Sequence, residues 1–154
     1  QYRLQIGSKE WFLDLLKLGF VPHKSNSMQF PEVPRKFLGH FVRGYFDGDG
    51  CVYFSILTFA DRKNKRWMLL TLFTRGSKTF LERLWESLKK EGIRGGSLRN
   101  KARGYELAFS RRDSLALYRL LYHTAPTSDL FLPRKREKLE RAIEVLGLEK
   151  TVRS

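Results

Sequence analysis

Residues Phe37 to Gly50 read FLGHFVRGYFDGDG, and no other stretch restricts the fold as much. The pattern predicts a helix from about Pro34 to Gly48, since a proline in the first turn lacks only an N–H that has no partner there anyway. His40, Gly44 and Gly48 recur at every fourth residue and share one face. A glycine inside a helix costs about 1 kcal/mol relative to alanine. Two on one stripe therefore predict a second backbone passing close by. Phe37, Phe41 and Tyr45 add apolar surface beside the stripe. The helix ends in Asp47-Gly48-Asp49-Gly50, which puts two carboxylates where the macrodipole disfavours negative charge. Residues placed against local stability mark a candidate functional site, although the same four residues also suit an ordinary helix-to-strand turn. A calcium loop is excluded. Counting from Asp47, the fifth position is Cys51 and the sixth Val52, where an EF-hand needs an oxygen ligand and a glycine.

The segment Val42-Arg43-Gly44-Tyr45-Phe46-Asp47-Gly48-Asp49-Gly50 resembles the signature motif of the LAGLIDADG homing endonucleases. It matches at the two helical glycines, both aspartates and the final glycine. It departs at Arg43, where that family has a small residue, and at Tyr45. The resemblance implies two such helices packed through His40, Gly44 and Gly48, each delivering an aspartate to a metal beside the scissile phosphates. By that match Asp49, with the adjoining Gly48, stands at the metal, and Asp47 ties down the helix end.

Composition narrows the partner. Lys and Arg number 30 against 16 Asp and Glu, giving a net charge of +14 and a pI near 10.2. Self-repulsion of that size is relieved by a polyanion, and nucleic acid rewards many cations at once through counterion release. A basic surface kept for solubility is the plainer alternative. A membrane surface is not expected, because the cations do not collect on one amphipathic helix and no apolar run approaches the roughly 20 residues of a span. The single cysteine, Cys51, excludes a disulfide framework and a cysteine-based zinc site. His23, His40 and His123 lack metal-ligand spacing.

Alternation predicts a strand at residues 2–8, and helical spacing predicts a helix from Lys9 to Leu18. A proline-, serine- and asparagine-containing connector follows to Lys36. After the motif helix, Cys51 to Phe59 reads as a strand with Val52, Phe54 and Ile56 facing the core. Asp61 to Arg66 reads as a basic turn and Trp67 to Thr74 as the returning strand. Ser77 to Lys90 is an amphipathic helix, Arg94–Asn100 and Gly104–Ser110 a second hairpin, and Arg112–Tyr122 and Arg134–Leu146 further helices. The expected class is α+β, with one antiparallel sheet carrying helices on one face. That order resembles the αββαββα LAGLIDADG domain, whose sheet is saddle-shaped.

The first 30 residues look like the end of a preceding unit. Tyr2-Arg3-Leu4-Gln5-Ile6 parallels Tyr105-Glu106-Leu107-Ala108-Phe109, and Phe20-Val21-Pro22-His23-Lys24 parallels Phe131-Leu132-Pro133-Arg134-Lys135. Gly7-Ser8-Lys9 also aligns with Gly76-Ser77-Lys78. Residues 1–30 are thus expected to be the tail of an earlier repeat or an N-terminal extension, and residues 31–154 the endonuclease-like domain.

The function expected from these features is site-specific double-strand DNA cleavage. Mg²⁺ takes one or two protein carboxylates and completes its shell with water and phosphate oxygens, so one Asp49 from each of two domains suffices. The second domain comes from a homodimer partner or a missing N-terminal half. The resemblance implies a basic residue near the attacking water at Lys135, with Lys24 its counterpart. Tyr53, Ser55, Leu57 and Arg99 are candidates for reading bases from the open sheet face. Arg62, Lys63, Lys65, Arg66, Lys101 and Arg103 are candidates for holding phosphates, and Arg75 and Lys78, at the end of the second strand, for contacting the phosphate or ordering water. The rival reading is a DNA- or RNA-binding protein without cleavage, an intron maturase or regulator on the same fold.

Overall fold

Antiparallel pairing of two hairpins creates a four-stranded sheet in the order β1-β2-β4-β3. The computed structural model describes residues 5–17, 29–59, 62–123 and 130–148. Its elements are α1 (Lys9–Lys17), α2 (Leu38–Asp49), β1 (Gly50–Phe59), β2 (Arg62–Arg75), α3 (Lys78–Lys90), β3 (Ser97–Lys101), β4 (Gly104–Ser110), α4 (Arg111–Tyr122) and α5 (Pro133–Val145). The α+β class and helix–hairpin–helix–hairpin–helix–helix order are those expected from the sequence.

The register divides the side chains into two sets, because directly opposed residues share a face. Tyr53 opposes Leu70, Ser55 opposes Met68, Leu57 opposes Arg66, Thr74 opposes Glu106, and Glu106 opposes Arg99. On the other face Val52, Leu69, Phe73, Leu107 and Phe109 are buried with Val42 and Phe46 of α2, Phe80, Leu81, Leu84 and Leu88 of α3, Leu117 and Leu121 of α4, and Leu139 of α5. Each helix brings one apolar stripe to this core. Helix α3 starts on the hydroxyl of Ser77, which accepts the Phe80 N–H at 3.3 Å. Helix α5 has Pro133 at its first position.

Four details differ from the sequence reading. Residues 5–8 form no strand, since a strand needs a hydrogen-bonded neighbour, and residues 1–4 lie outside the description. Pro34 precedes a 3-10 turn at Arg35–Phe37, whose last N–H reaches the Pro34 carbonyl at 2.8 Å, and α2 starts only at Leu38. From Arg62 on, the basic segment expected as a turn is strand: Arg66 pairs with Leu57 and Arg62 with Phe59 in the backbone register, so the first hairpin is a longer ribbon. Ile56, expected in the core, is 41% exposed, because cover on that face runs out beyond the stack of Phe54 on Trp67. Helix α1 forms as expected but buries no residue. No described helix is long and apolar enough to cross a membrane.

The chain passes from α2 into β1 without a connecting loop, and Gly50 makes this possible. A Cβ there would meet the Phe46 ring and stand 2.6 Å from the Phe46 carbonyl oxygen. Gly50→Ala should therefore destabilise the fold by about 2 kcal/mol, as overpacking against backbone does. Urea unfolding followed by tryptophan fluorescence measures it.

Candidate active site at the tip of helix α2

A helix that ends on two carboxylates and a bare set of carbonyls needs partners from elsewhere. At α2 they come from both sides. From α5, Lys135 is buried and its Nζ donates to the carbonyls of Phe46 (2.6 Å), Asp47 (2.8 Å) and Gly50 (2.6 Å). From the residue before α5, the Leu132 N–H donates to Asp47 Oδ2 at 3.0 Å. Asp47 thus ties the tip of α2 to the start of α5. Burial pushes the Lys135 ammonium below the usual lysine value and Arg134 adds to that, while Asp47 opposes them.

On the opposite side stands the end of β2. Thr74 Oγ1 donates to the Asp49 carbonyl at 3.2 Å, the Tyr45 hydroxyl donates to the Thr74 carbonyl at 2.9 Å, and Arg75 Nη1 donates to Asp49 Oδ2 at 2.9 Å. Tyr45 packs on Phe73 and Phe80, and burial raises its phenol well above the ordinary tyrosine value. The sequence reading had no signal for this bracket, because it depends on which strand end meets the helix end.

The stripe of α2 is open. Gly44 and Gly48 are exposed, and a Cβ at either would meet no atom within 4 Å. Their presence is not explained by the packing of the described residues. His40 is half-buried at the edge of the stripe, with Nδ1 3.2 Å from Arg43 Nη2. Arg43, the departure from the motif, is buried and donates from Nη1 to the Leu121 carbonyl at 3.4 Å, fastening α2 to the last turn of α4.

Of the other candidates, Tyr53, Ser55, Leu57 and Arg99 share the open face of the sheet, and the register adds Arg66, Met68 and Leu70 to it. Lys65 and Arg66 are exposed; the side chains of Arg62 and Lys63 and all of Lys24 lie outside the described residues. Arg75, Lys101 and Arg103 line one shallow groove with Tyr105 and Glu106. Lys101 pairs with Glu106 at 3.1 Å, and Lys78 with Glu82 at 3.2 Å.

The donor set bears on a metal. Among the described residues no group of three or more His, Cys, Asp or Glu stands close enough to hold an ion. Asp49 contributes a single carboxylate, 52% exposed. One reachable carboxylate fits Mg²⁺, which takes only one or two protein carboxylates and completes its shell with other oxygens, and does not fit an ion enclosed by the described residues alone.

Lys135 is engaged in a way that predicts its loss. With its ammonium on three carbonyls, Lys135→Met should cost about 3 kcal/mol in urea unfolding, because hydrogen bonds to charged groups exceed neutral ones and three carbonyls lose that donor at once. Lys135→Arg should recover only part, since a planar fork does not reproduce the ammonium's three directions.

No family model matches the sequence, and no curated protein does. Solved structures do match. The homing endonuclease I-CvuI in complex with its target aligns at a TM-score of 0.56 and 15% identity, over 73% of this chain and 68% of that one. The LAGLIDADG meganuclease I-AabMI bound to uncleaved DNA aligns at 0.53 and 19%, over 77% and 38%. A mutant of I-SmaMI aligns at 0.59 and 14%, over 94% and 46%, so this chain spans less than half the length of the last two. The motif at Val42 to Gly50, the order of helices and hairpins, and these superpositions agree: the chain has the fold of the LAGLIDADG homing endonucleases.

Proposed function

We propose that this chain is a site-specific double-strand DNA endonuclease that acts as one of two paired LAGLIDADG domains, with Mg²⁺ shared between their Asp49 carboxylates. The observation that carries this reading is a juxtaposition. The open stripe of Gly44 and Gly48 runs directly into the half-exposed carboxylate of Asp49, beside a basic open sheet. A second helix crossing at the glycines brings a second such carboxylate to the first. The partner is either a second copy of this chain or another domain of the same polypeptide. I-CvuI and I-AabMI, whose fold is the one found here, are each bound to DNA in those structures.

In this reading Asp49, together with the carbonyl of Gly48, holds the ion. Bound there, a divalent ion polarises the scissile phosphate and lowers the pKa of the attacking water. Lys135 holds the helix end in place rather than meeting that water, because its three N–H groups are already spent on carbonyls. That leaves Lys24, the matching lysine of the preceding repeat, as the basic residue for the attacking water. Tyr53, Ser55, Leu57, Arg66 and Arg99 face the bases, and Lys65, Lys101 and Arg103 hold phosphates.

The decisive assay is Mg²⁺-dependent cleavage of a duplex library. Asp49→Asn should reduce cutting to background while DNA affinity stays within about threefold, since a carboxylate facing phosphate adds nothing to binding. Cutting that persists at the unsubstituted rate removes Asp49 from the site. A protein that binds duplex DNA and never cuts it is instead a binding protein on the same fold.

Pairing has its own test. Gly44→Leu should leave the stability of the single chain within about 0.5 kcal/mol, as surface changes do. The same change should abolish association through α2, read by sedimentation velocity with DNA present, and cleavage with it.

A further inference from the structure

Asp49 is not idle in this structure. Its Oδ2 accepts from Arg75 Nη1 at 2.9 Å, and the two side chains are anchored very differently. Only 18% of the Arg75 side chain is exposed, against 52% for Asp49. The guanidinium carbon lies 5.2 Å from the centroid of Phe80 and 5.8 Å from that of Tyr45. Tyr45 is itself fixed through the Thr74 carbonyl, and Thr74 through the carbonyl of Asp49. The cation is therefore built into the wall, and the carboxylate is the more accessible member of the pair.

A guanidinium does not lose its proton at any ordinary pH. Beside Asp49 it neutralises the charge that would attract a dication and repels the dication itself. Phosphates reverse this balance, since each brings negative charge to the same place. We propose that Arg75 is a positioning residue that keeps Asp49 a poor metal ligand until DNA phosphates arrive, so that the divalent ion is taken up with the substrate and not before it. Arg75 does this in place, by its charge, because its ring contacts hold it against the wall. The inference rests on the reading of Asp49 as a metal ligand and adds an order to the binding events.

The test uses the DNA-free protein and Mn²⁺ as the probe, with free Mn²⁺ followed by its electron paramagnetic resonance signal. Arg75→Gln keeps an N–H donor within reach of Asp49 and removes the charge. It should bind Mn²⁺ about tenfold more tightly than the unsubstituted chain, a modest share of the repulsion between such close charges. The gain should vanish in the Arg75→Gln, Asp49→Asn double variant. Arg75→Lys keeps the charge and should gain nothing. If Arg75→Gln disturbs the fold, judged by thermal unfolding, Arg75→Met carries the same expectation while keeping contact with Phe80. Unchanged or weaker Mn²⁺ binding in the neutral variants overturns the proposal, as does an equal gain with lysine. If Asp49→Asn alters Mn²⁺ binding in neither background, the metal reading of Asp49 itself has failed. If Asp49→Asn weakens binding but neutralising position 75 does nothing, only the role of Arg75 falls.

Discussion

The tip of α2 depends on one ammonium. Many helices dispose of their last carbonyls by turning through a left-handed glycine, but Gly50 is extended at φ −81°, ψ 161° and leads straight into β1. Its N–H returns to the Phe46 carbonyl, which is one cap among several that the end requires. The Asp47 and Gly50 carbonyls are taken by Lys135, far along the sequence on α5, and the Asp49 carbonyl by the Thr74 hydroxyl. The absence of a loop and the presence of a distant lysine are therefore one fact. A direct helix-to-strand passage fixes Asp49 at a rigid junction, and rigidity of that kind suits the role proposed for it in holding an ion. The Asp47 carboxylate secures the same junction in return by taking the Leu132 N–H.

The sheet separates two kinds of demand. Its covered face is a continuous apolar core. Its open face mixes Tyr53, Ser55, Met68, Leu70 and Arg99, a set that suits neither a core nor an ordinary solvated surface. The basic residues around it are not equally available. Lys101 shares Glu106, and Lys78 shares Glu82, but both cations are more than half exposed. The Lys78–Glu82 pair, exposed on both sides, is worth little, whereas Lys101 holds a Glu106 side chain that is only 8% exposed. Arg75 differs, because its burial and ring contacts keep it where it is.

Much of the architecture was legible because it follows from periodicity. The stripes of α3, α4 and α5 repeat at helical spacing, and the hairpin at Ser97–Ser110 alternates around a turn containing Gly104, where φ is +142°. In the ribbon of β1 and β2 a run of charge suggests a turn, whereas Lys65 and Arg66 are strand residues with exposed side chains. At the site, Asp49 and the glycine stripe were legible from a local conflict: carboxylates and glycines placed where helix stability disfavours them. The contacts of Lys135 and Arg75 were not. Both reach the tip from other elements, and nothing in their own neighbourhoods marks which carbonyl or carboxylate they meet.

The departures from the motif at Arg43 and Tyr45 bear on what the rest of the motif is for. Both lie off the stripe and both answer to this chain alone: Arg43 reaches the Leu121 carbonyl and His40, and Tyr45 fits between Phe73 and Phe80 while donating to Thr74. An internal demand can be met by different side chains when the neighbours differ, so substitution there is tolerable. Gly44 and Gly48 meet no such demand, since a side chain at either would project into open space. Leucine or alanine there would strengthen the isolated helix. Glycines that weaken a helix, and that no described neighbour requires, make sense as an accommodation to something that approaches from outside. The stripe on which they lie ends at Asp49, so whatever packs on it lies next to that carboxylate.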